Sequence, residues 1–363
     1  MRSRVRLQAW VTWNQSVPEQ LLAAERPAPT PAPASGARTA TILSVAAELP
    51  LGRLTTAELA QRFGISEEWI IARTGIRERC RAAPEERLTD YAIRVGASAL
   101  QRAGVEAGEL DLVIVATMTQ DELTPNTAPL VAYALGAEHA GTFDVGAACT
   151  AFLTGLALGA AQIESGRAER VLLVGADFIT RITDYEDKRS APLFGDAAGA
   201  AVLGVAGASA ADNGAIGPIV LRADGSHGRT IIATHAERKL LLDGPEVYRH
   251  AVGRMREVTI EAVTRAGLEL DDIDLFVYHQ ANARITKALG ERLGLAPERV
   301  VNCIEMIGNA SAATIPVGLT VAERDGRLRP GALVLLSAFG AGFTWGGGVV
   351  RWPGQLSPGA VAS

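Results

Sequence analysis

Cysteine is scarce in this sequence, and positive charge is not in surplus. The three cysteines, Cys80, Cys149 and Cys303, are odd in number and far apart, which suits neither a disulfide framework nor a zinc site. A reducing cytoplasm is the expected compartment. With 35 basic residues against 40 acidic ones the chain carries a formal charge of −5, so it has no general attraction for nucleic acid. A phosphorylated partner would have to meet a local basic patch. Arg2, Arg4 and Arg6 are not followed by a continuous apolar run, and no secretory signal is expected.

Charge is also missing from two stretches, Val145 to Ile163 and Gly331 to Val350, each long enough on length alone to span a bilayer. The second holds six glycines, which favours strand, tight turn and strand over helix. The first follows the strand-like Thr142 to Val145 and is rich in Ala, Gly and Thr, the pattern of a helix buried inside a domain. Both are read as core, with no membrane span.

The chain is 48% hydrophobic and 21% charged over 363 residues, enough to bury one large core or two fused smaller ones. Residues 1–38 differ: they end in the Pro/Ala/Ser-rich stretch from Pro27 to Gly36 and are read as a disordered or linker-like extension. A repeat organises the rest. ALQRAGVEAGELDLV, starting at Ala99, returns as AVTRAGLELDDIDLF, starting at Ala262, and Asp111 and Asp274 keep the same spacing of 163 residues. RVLLVGADF at Arg170 has a weaker echo in ALVLLSAFG at Ala332, at a spacing of 162. A duplicated α/β unit follows, with an N-terminal half over 39–212 and a C-terminal half over 213–363. In both, apolar helices alternate with short buried strands, which predicts βαβ units and a mostly parallel sheet. Reactive groups in such sheets gather at the carboxyl ends of strands.

Three such ends carry chemistry. Cys149 follows the strand FDVG and opens the helix AACTAFLTGLALGAAQI; helix-start N–H groups favour a thiolate and predict a lowered pKa. His279 closes the strand LFVY, and Asn309 sits in IGNASAATIP. A thiolate can attack a thioester, while the N–H of Cys149 and the turn Gly340 to Gly342 can supply donors to the oxyanion. His279 Nε2 and the Asn309 amide can both donate to one oxygen. Asparagine cannot take a proton, so the pair suits an enolate made by loss of CO2 rather than by proton abstraction.

At these residues the chain resembles β-ketoacyl-acyl-carrier-protein synthase III, in the thiolase-like superfamily of condensing enzymes. The resemblance runs from about Thr41 to Trp352 through EEWIIARTGIRER, DVGAACTAF, FGDAAGAAVL, HQANARI, GNASAATIP and GAGFTWGGGVVRW, in order. It implies a thiolase-like αβαβα sandwich of two duplicated halves, a homodimer, a coenzyme A thioester as substrate with no metal or other cofactor, and malonyl-acyl-carrier protein as partner. It makes Cys149 the acylated nucleophile and His279 and Asn309 the decarboxylation pair. It places Trp69 and Arg73 on the adenine and phosphates of coenzyme A, Asn282 near the pantetheine arm, and Arg284 on a basic face for the carrier protein. Departures from the family pattern leave Lys188 or Arg189 standing in for a clamp arginine. They also put the small Thr124 where short-chain enzymes close the acyl channel with phenylalanine, which predicts room for longer or polar acyl groups.

Rival readings share parts of the trio. An offshoot of secondary metabolism passing its acyl group to an alcohol or amine would use the same three residues. A papain-like cysteine hydrolase matches the Cys-to-His spacing but lacks the Cys-Gly-[Ser/Ala]-Cys context and the duplicated halves. Thiolase proper needs a late Cys-Gly motif that Cys303 does not offer. A plant-type polyketide synthase needs a GFGPG-like turn, absent here, and a non-catalytic chain-length partner would lack the nucleophile.

Overall fold

The computed structural model describes residues 38–207 and 214–353. The expected extension over 1–38 falls almost wholly outside the described residues. Among those described, nine strands make two main sheets: β1 Ala40–Glu48, β2 Leu112–Ala116, β3 Gly141–Val145, β4 Arg170–Phe178 and β5 Asp196–Val205, then β6 Ala215–Ala223, β7 Leu275–Tyr278, β8 Leu333–Gly340 and β9 Thr344–Arg351. The first sheet runs β1-β5-β4-β2-β3 and the second β7-β8-β9-β6.

Both sheets are mixed, which corrects the expectation of a mostly parallel arrangement. Pairs β2/β3, β2/β4 and β7/β8 are parallel, whereas β1/β5, β4/β5, β8/β9 and β6/β9 are antiparallel. The physical reason is plain at β8 and β9. Residues 341–343 alone join them, and a turn that short permits only antiparallel neighbours. The order of pairings is the same in the two sheets, with β2, β4, β5 and β1 answering to β7, β8, β9 and β6. The second sheet's counterpart of β3 shrinks to a single parallel bridge, Phe276 to Val300.

Strand alternation splits the core into layers. On β2, Ile114 and Ala116 face inward while Val113 and Val115 face outward; on β8, Val334 and Leu336 face inward and Leu335 and Phe339 outward. Successive side chains of a strand point to opposite faces, so each sheet needs cover on both sides. Helices Leu88–Ala103 and Thr127–Leu135 cover the first sheet, and Gly244–Arg265 and Ala283–Leu293 cover the second. Between the sheets lie the helices Ala151–Glu164 and Thr314–Arg324, which share one core with both. This is the αβαβα sandwich of two duplicated halves. The charge-free stretches are the central helix with its approach and the β8–β9 hairpin, and no described helix is long and apolar enough to cross a membrane.

The repeat extends to the turns that enter the two central helices. Ala148–Thr150 and Ser311–Ala313 are both single 3-10 turns leading into a helix, and Ala148 and Ser311 both adopt φ of 47°. Their separation is again 163 residues. In this duplicated elbow Ala312 occupies the position that Cys149 holds in the first half.

Candidate active site

A left-handed residue before Cys149 turns the chain abruptly between β3 and the helix, so the sulfur stands at the sheet's carboxyl edge. There it meets a cavity of about 1020 Å3, and Cys149, His279 and Asn309 all line it. Three separate segments therefore bring together the three residues singled out from the sequence. Gly340 at the end of β8 closes the wall behind the sulfur: a Cβ there would lie 2.9 Å from the Cys149 nitrogen and 3.0 Å from its Cβ.

Asn309 is held by its backbone, its N–H donating to Leu193 O at 2.8 Å and its carbonyl accepting from Gly195 N–H at 3.1 Å. Its Oδ1 accepts the Ser311 N–H at 3.0 Å. With the side-chain oxygen committed to the elbow, the amide NH2 is the part left for a ligand. His279 is buried at 2% exposure. Its N–H donates to Ser337 O on β8 at 2.8 Å, and Nδ1 lies 2.6 Å from Thr314 Oγ1, while Nε2 is buried without a partner. Burial pushes the imidazole down to about 3, so it is neutral at physiological pH.

The sulfur overturns one expectation. Burial pushes the Cys149 thiol up to about 12; the Ser311 hydroxyl and its own N–H oppose this, while the negative charge of Asp177 adds to it. The elbow does supply donors, but withdrawal from water outweighs them. Alkylation of Cys149 by iodoacetamide, followed by digestion and mass spectrometry, is expected to accelerate about tenfold per pH unit from pH 6 to 9, since only thiolate reacts. A plateau below pH 8 would restore the lowered pKa read from the sequence.

Asp177 is a residue that sequence reasoning missed. Fully buried at the end of β4, it accepts from Met118 N–H at 2.9 Å, Thr119 Oγ1 at 2.8 Å and Ala312 N–H at 3.2 Å. It thus ties strand ends of the first half to the elbow of the second. Burial raises its carboxyl above the usual range, against those donors. The signal in the sequence was an acid closing the apolar run RVLLVGADF. Thr314 and Ser311 were missed as well, because nothing in a single-residue reading separates them from ordinary helix-start hydroxyls.

The remaining candidates divide. Trp69 and Arg73 sit on the helix Glu67–Thr74, capped by Ser66 accepting the Trp69 N–H at 3.2 Å. Both line the cavity, with the Arg73 guanidinium 4.0 Å from the indole centroid, a cation–π stack. Gly75 then adopts φ of 74°, and a Cβ on it would come within 2.3 Å of the Ala283 Cβ. That close approach brings the helix end against Asn282, which donates to Arg73 O at 3.0 Å and accepts from Arg284 N–H at 2.9 Å. Exposed Arg73, Lys188, Arg189, Arg229 and Arg284 mark the opening, a local basic rim on an acidic protein. Two candidates do not join the cavity. Thr124 is exposed, on the loop before Thr127–Leu135, and does not line the cavity of its own chain. Gly342 follows Ala341, the last of the hairpin residues Phe339, Gly340 and Ala341 that line the cavity, and does not line it itself.

Comparison with known proteins fits this geometry. The family model described as 3-oxoacyl-[acyl-carrier-protein (ACP)] synthase III matches residues 143–225, and that of its C-terminal part matches residues 263–352. β-Ketoacyl-[acyl-carrier-protein] synthase III of Bradyrhizobium diazoefficiens is 42% identical over 320 residues, covering 86% of this chain and 98% of the relative. The chain belongs to the β-ketoacyl-acyl-carrier-protein synthase III family. Among solved structures, the synthase III of Thermus thermophilus is 40% identical with a TM-score of 0.83, covering 86% of this chain and 99% of that one. The priming β-ketosynthase of the R1128 polyketide pathway is 34% identical with a TM-score of 0.83, covering 90% and 100%. Within this synthase III framework Cys149 and His279 follow the carboxyl ends of parallel strands, where α/β sheets place their chemistry. Asn309 corrects the expectation of a third strand end, because it follows the short helix Ile304–Ile307 and its backbone makes only an isolated bridge to Phe194.

Proposed function

We propose that this synthase III catalyses a decarboxylative Claisen condensation in two stages. In the first, the Cys149 sulfur attacks a coenzyme A thioester, free coenzyme A leaves, and the acyl group stays on the sulfur. In the second, malonyl-acyl-carrier protein loses CO2, and the electron pair of the broken C–C bond becomes an enolate. Its carbon attacks the acyl carbonyl, the tetrahedral intermediate collapses, and the Cys149 sulfur leaves as β-ketoacyl-carrier protein departs.

The observation that carries this reading is the pairing of a buried, unpartnered His279 Nε2 with the Asn309 amide in the cavity that holds the cysteine. Two neutral donors without a base suit an enolate oxygen made by CO2 loss. Thr314 Oγ1 lies 2.6 Å from His279 Nδ1 and 3.0 Å from Ser311 O; with its one proton given to Nδ1, the ring proton resides on Nε2 and points at the substrate oxygen. Trp69 and the rim cations hold the nucleotide end of coenzyme A, and Arg284 with its neighbours receives the acidic carrier protein. No part of this scheme calls for a metal or redox cofactor. The chain works in the cytoplasm, which suits its three free cysteines, and as a homodimer, for which the exposed Leu123 and Tyr133 offer apolar surface.

The test is CO2 release. With an acyl-coenzyme A and malonyl-carrier protein, one CO2 is expected for each β-ketoacyl product. Acyl transfer to an alcohol or amine with no CO2 released would replace this reading by the acyltransferase one.

A further inference from the structure

Behind the hairpin that walls the cysteine, three potential metal ligands converge from two elements. His227 ends the 3-10 turn Gly225–His227 after β6, while Glu246 and His250 stand one turn apart at the start of the helix Gly244–Arg265. Spacing of four residues puts the latter two on one helix face. One ligating atom from each of the three lies within 4.8 Å of the other two.

Two carboxylates and two arginines surround the histidines. Glu246 divides its oxygens, Oε2 pairing with Arg249 and Oε1 facing His250 Nε2 at 2.9 Å. Asp224 adds a carboxylate 3.9 Å from His227 Nε2 and offsets Arg254, which is 4.0 Å from it. The side chains of His227, Glu246 and His250 are 29%, 27% and 22% exposed, so an ion has access from solvent without any opening of the fold. Neither histidine serves the condensation: both lie outside the cavity's lining.

We propose that His227, Glu246 and His250 bind one divalent transition-metal ion of the zinc class, at a site the condensation does not use. Two imidazoles and a carboxylate form a three-ligand set that zinc accepts, with solvent completing the coordination. The ion takes the place of the His250–Glu246 contact. Its structural effect reaches the active site through Phe343. That ring stacks on His227 at 4.9 Å and lies 5.2 Å from His250, and its backbone pairs with Asp224 in both directions at 2.7 and 2.8 Å. Phe343 follows Gly340 by three residues, so a bound ion pins the hairpin that backs Cys149.

The experiment uses the full-length Cys149→Ala protein, so that the nucleophile cannot compete for the ion. After treatment with a chelator and desalting, zinc chloride is titrated into it by calorimetry, alongside the same protein carrying His227→Ala and His250→Ala. The parent is expected to bind one zinc per chain and to gain thermal stability from it. Outer partners of metal ligands are worth about 10–100-fold in affinity, so loss of two ligands weakens binding by at least that much. Equal affinity and stoichiometry in the two proteins, or no uptake by the parent, would overturn the site. A misfolded double variant would not shelter the proposal, because cobalt chloride added to the folded parent must also give visible absorption more intense than, and shifted from, that of free aqueous cobalt, and a spectrum identical to aqueous cobalt refutes it.

Discussion

Cys149→Ala protein is expected to take no acyl group from a coenzyme A thioester and to condense at least about 10^4-fold more slowly than the native enzyme, the scale on which loss of a nucleophile is felt. Intact-mass measurement followed by peptide mapping checks the first part, and product formation checks the second. The other cysteines cannot substitute. Neither Cys80 nor Cys303 lines the cavity, so no thioester seated there can reach them. Alanine leaves the elbow intact, because the bonds that hold it run through Thr150, Ser311 and Asp177 rather than through the sulfur. His279 and Asn309 remain in place, so malonyl-carrier protein still loses CO2 in the variant. A Cys149→Ala enzyme that turns over normally would refute the covalent route.

His279→Ala and Asn309→Ala are expected to show the complementary pattern. Each removes one donor to the developing enolate, and removal of one oxyanion donor costs about 10^2–10^3 in rate. Acylation of Cys149 continues in both, since neither side chain is the nucleophile and the thiol keeps its Ser311 contact. Rapid-mixing assays that separate coenzyme A release from CO2 release will show the split. Equal loss of both steps would mean that the pair activates the cysteine instead, and the assignment of the two stages would fall.

The two variants also test how the halves cooperate. Cys149 comes from the elbow after β3, while His279 follows β7 and Asn309 precedes the second elbow. Fusing two copies of one α/β unit faces their central helices at each other, so one copy can keep the sulfur while the other contributes hydrogen-bond donors. Ala312, at the repeat position of Cys149, gives its N–H to Asp177 instead of presenting a reactive group. Duplication thus let the two equivalent turns diverge in task while the backbone, with its shared φ of 47°, stayed the same.

Local pattern made much of this legible. The strands at Leu112–Ala116 and Leu275–Tyr278 have the bounds their apolar runs suggest, since a fully buried strand leaves little choice of residue type. Glycine density in Gly331 to Val350 marked a hairpin, for the reason Gly340 shows: a side chain there would strike the Cys149 backbone. Cys149 and His279 could be picked out because strand ends in a repeated α/β unit are few, and polar residues at them stand out from their neighbours; Asn309 stood out by its small-residue surroundings, although a short helix and not a strand precedes it.

By itself the sequence determined the duplicated α/β architecture, the family and the three residues that meet in one cavity, because these rest on periodicity, motif order and residue chemistry within short windows. Only the tertiary structure decided the mixed sense of the sheets, the upward shift of the thiol, the part played by Asp177 and Thr314, and the exclusion of Thr124 and Gly342 from the cavity. Each of those depends on how far a group is withdrawn from water and on which distant segments surround it. Dielectric environment and long-range contact are sums over the whole fold, and no window of neighbouring residues contains them.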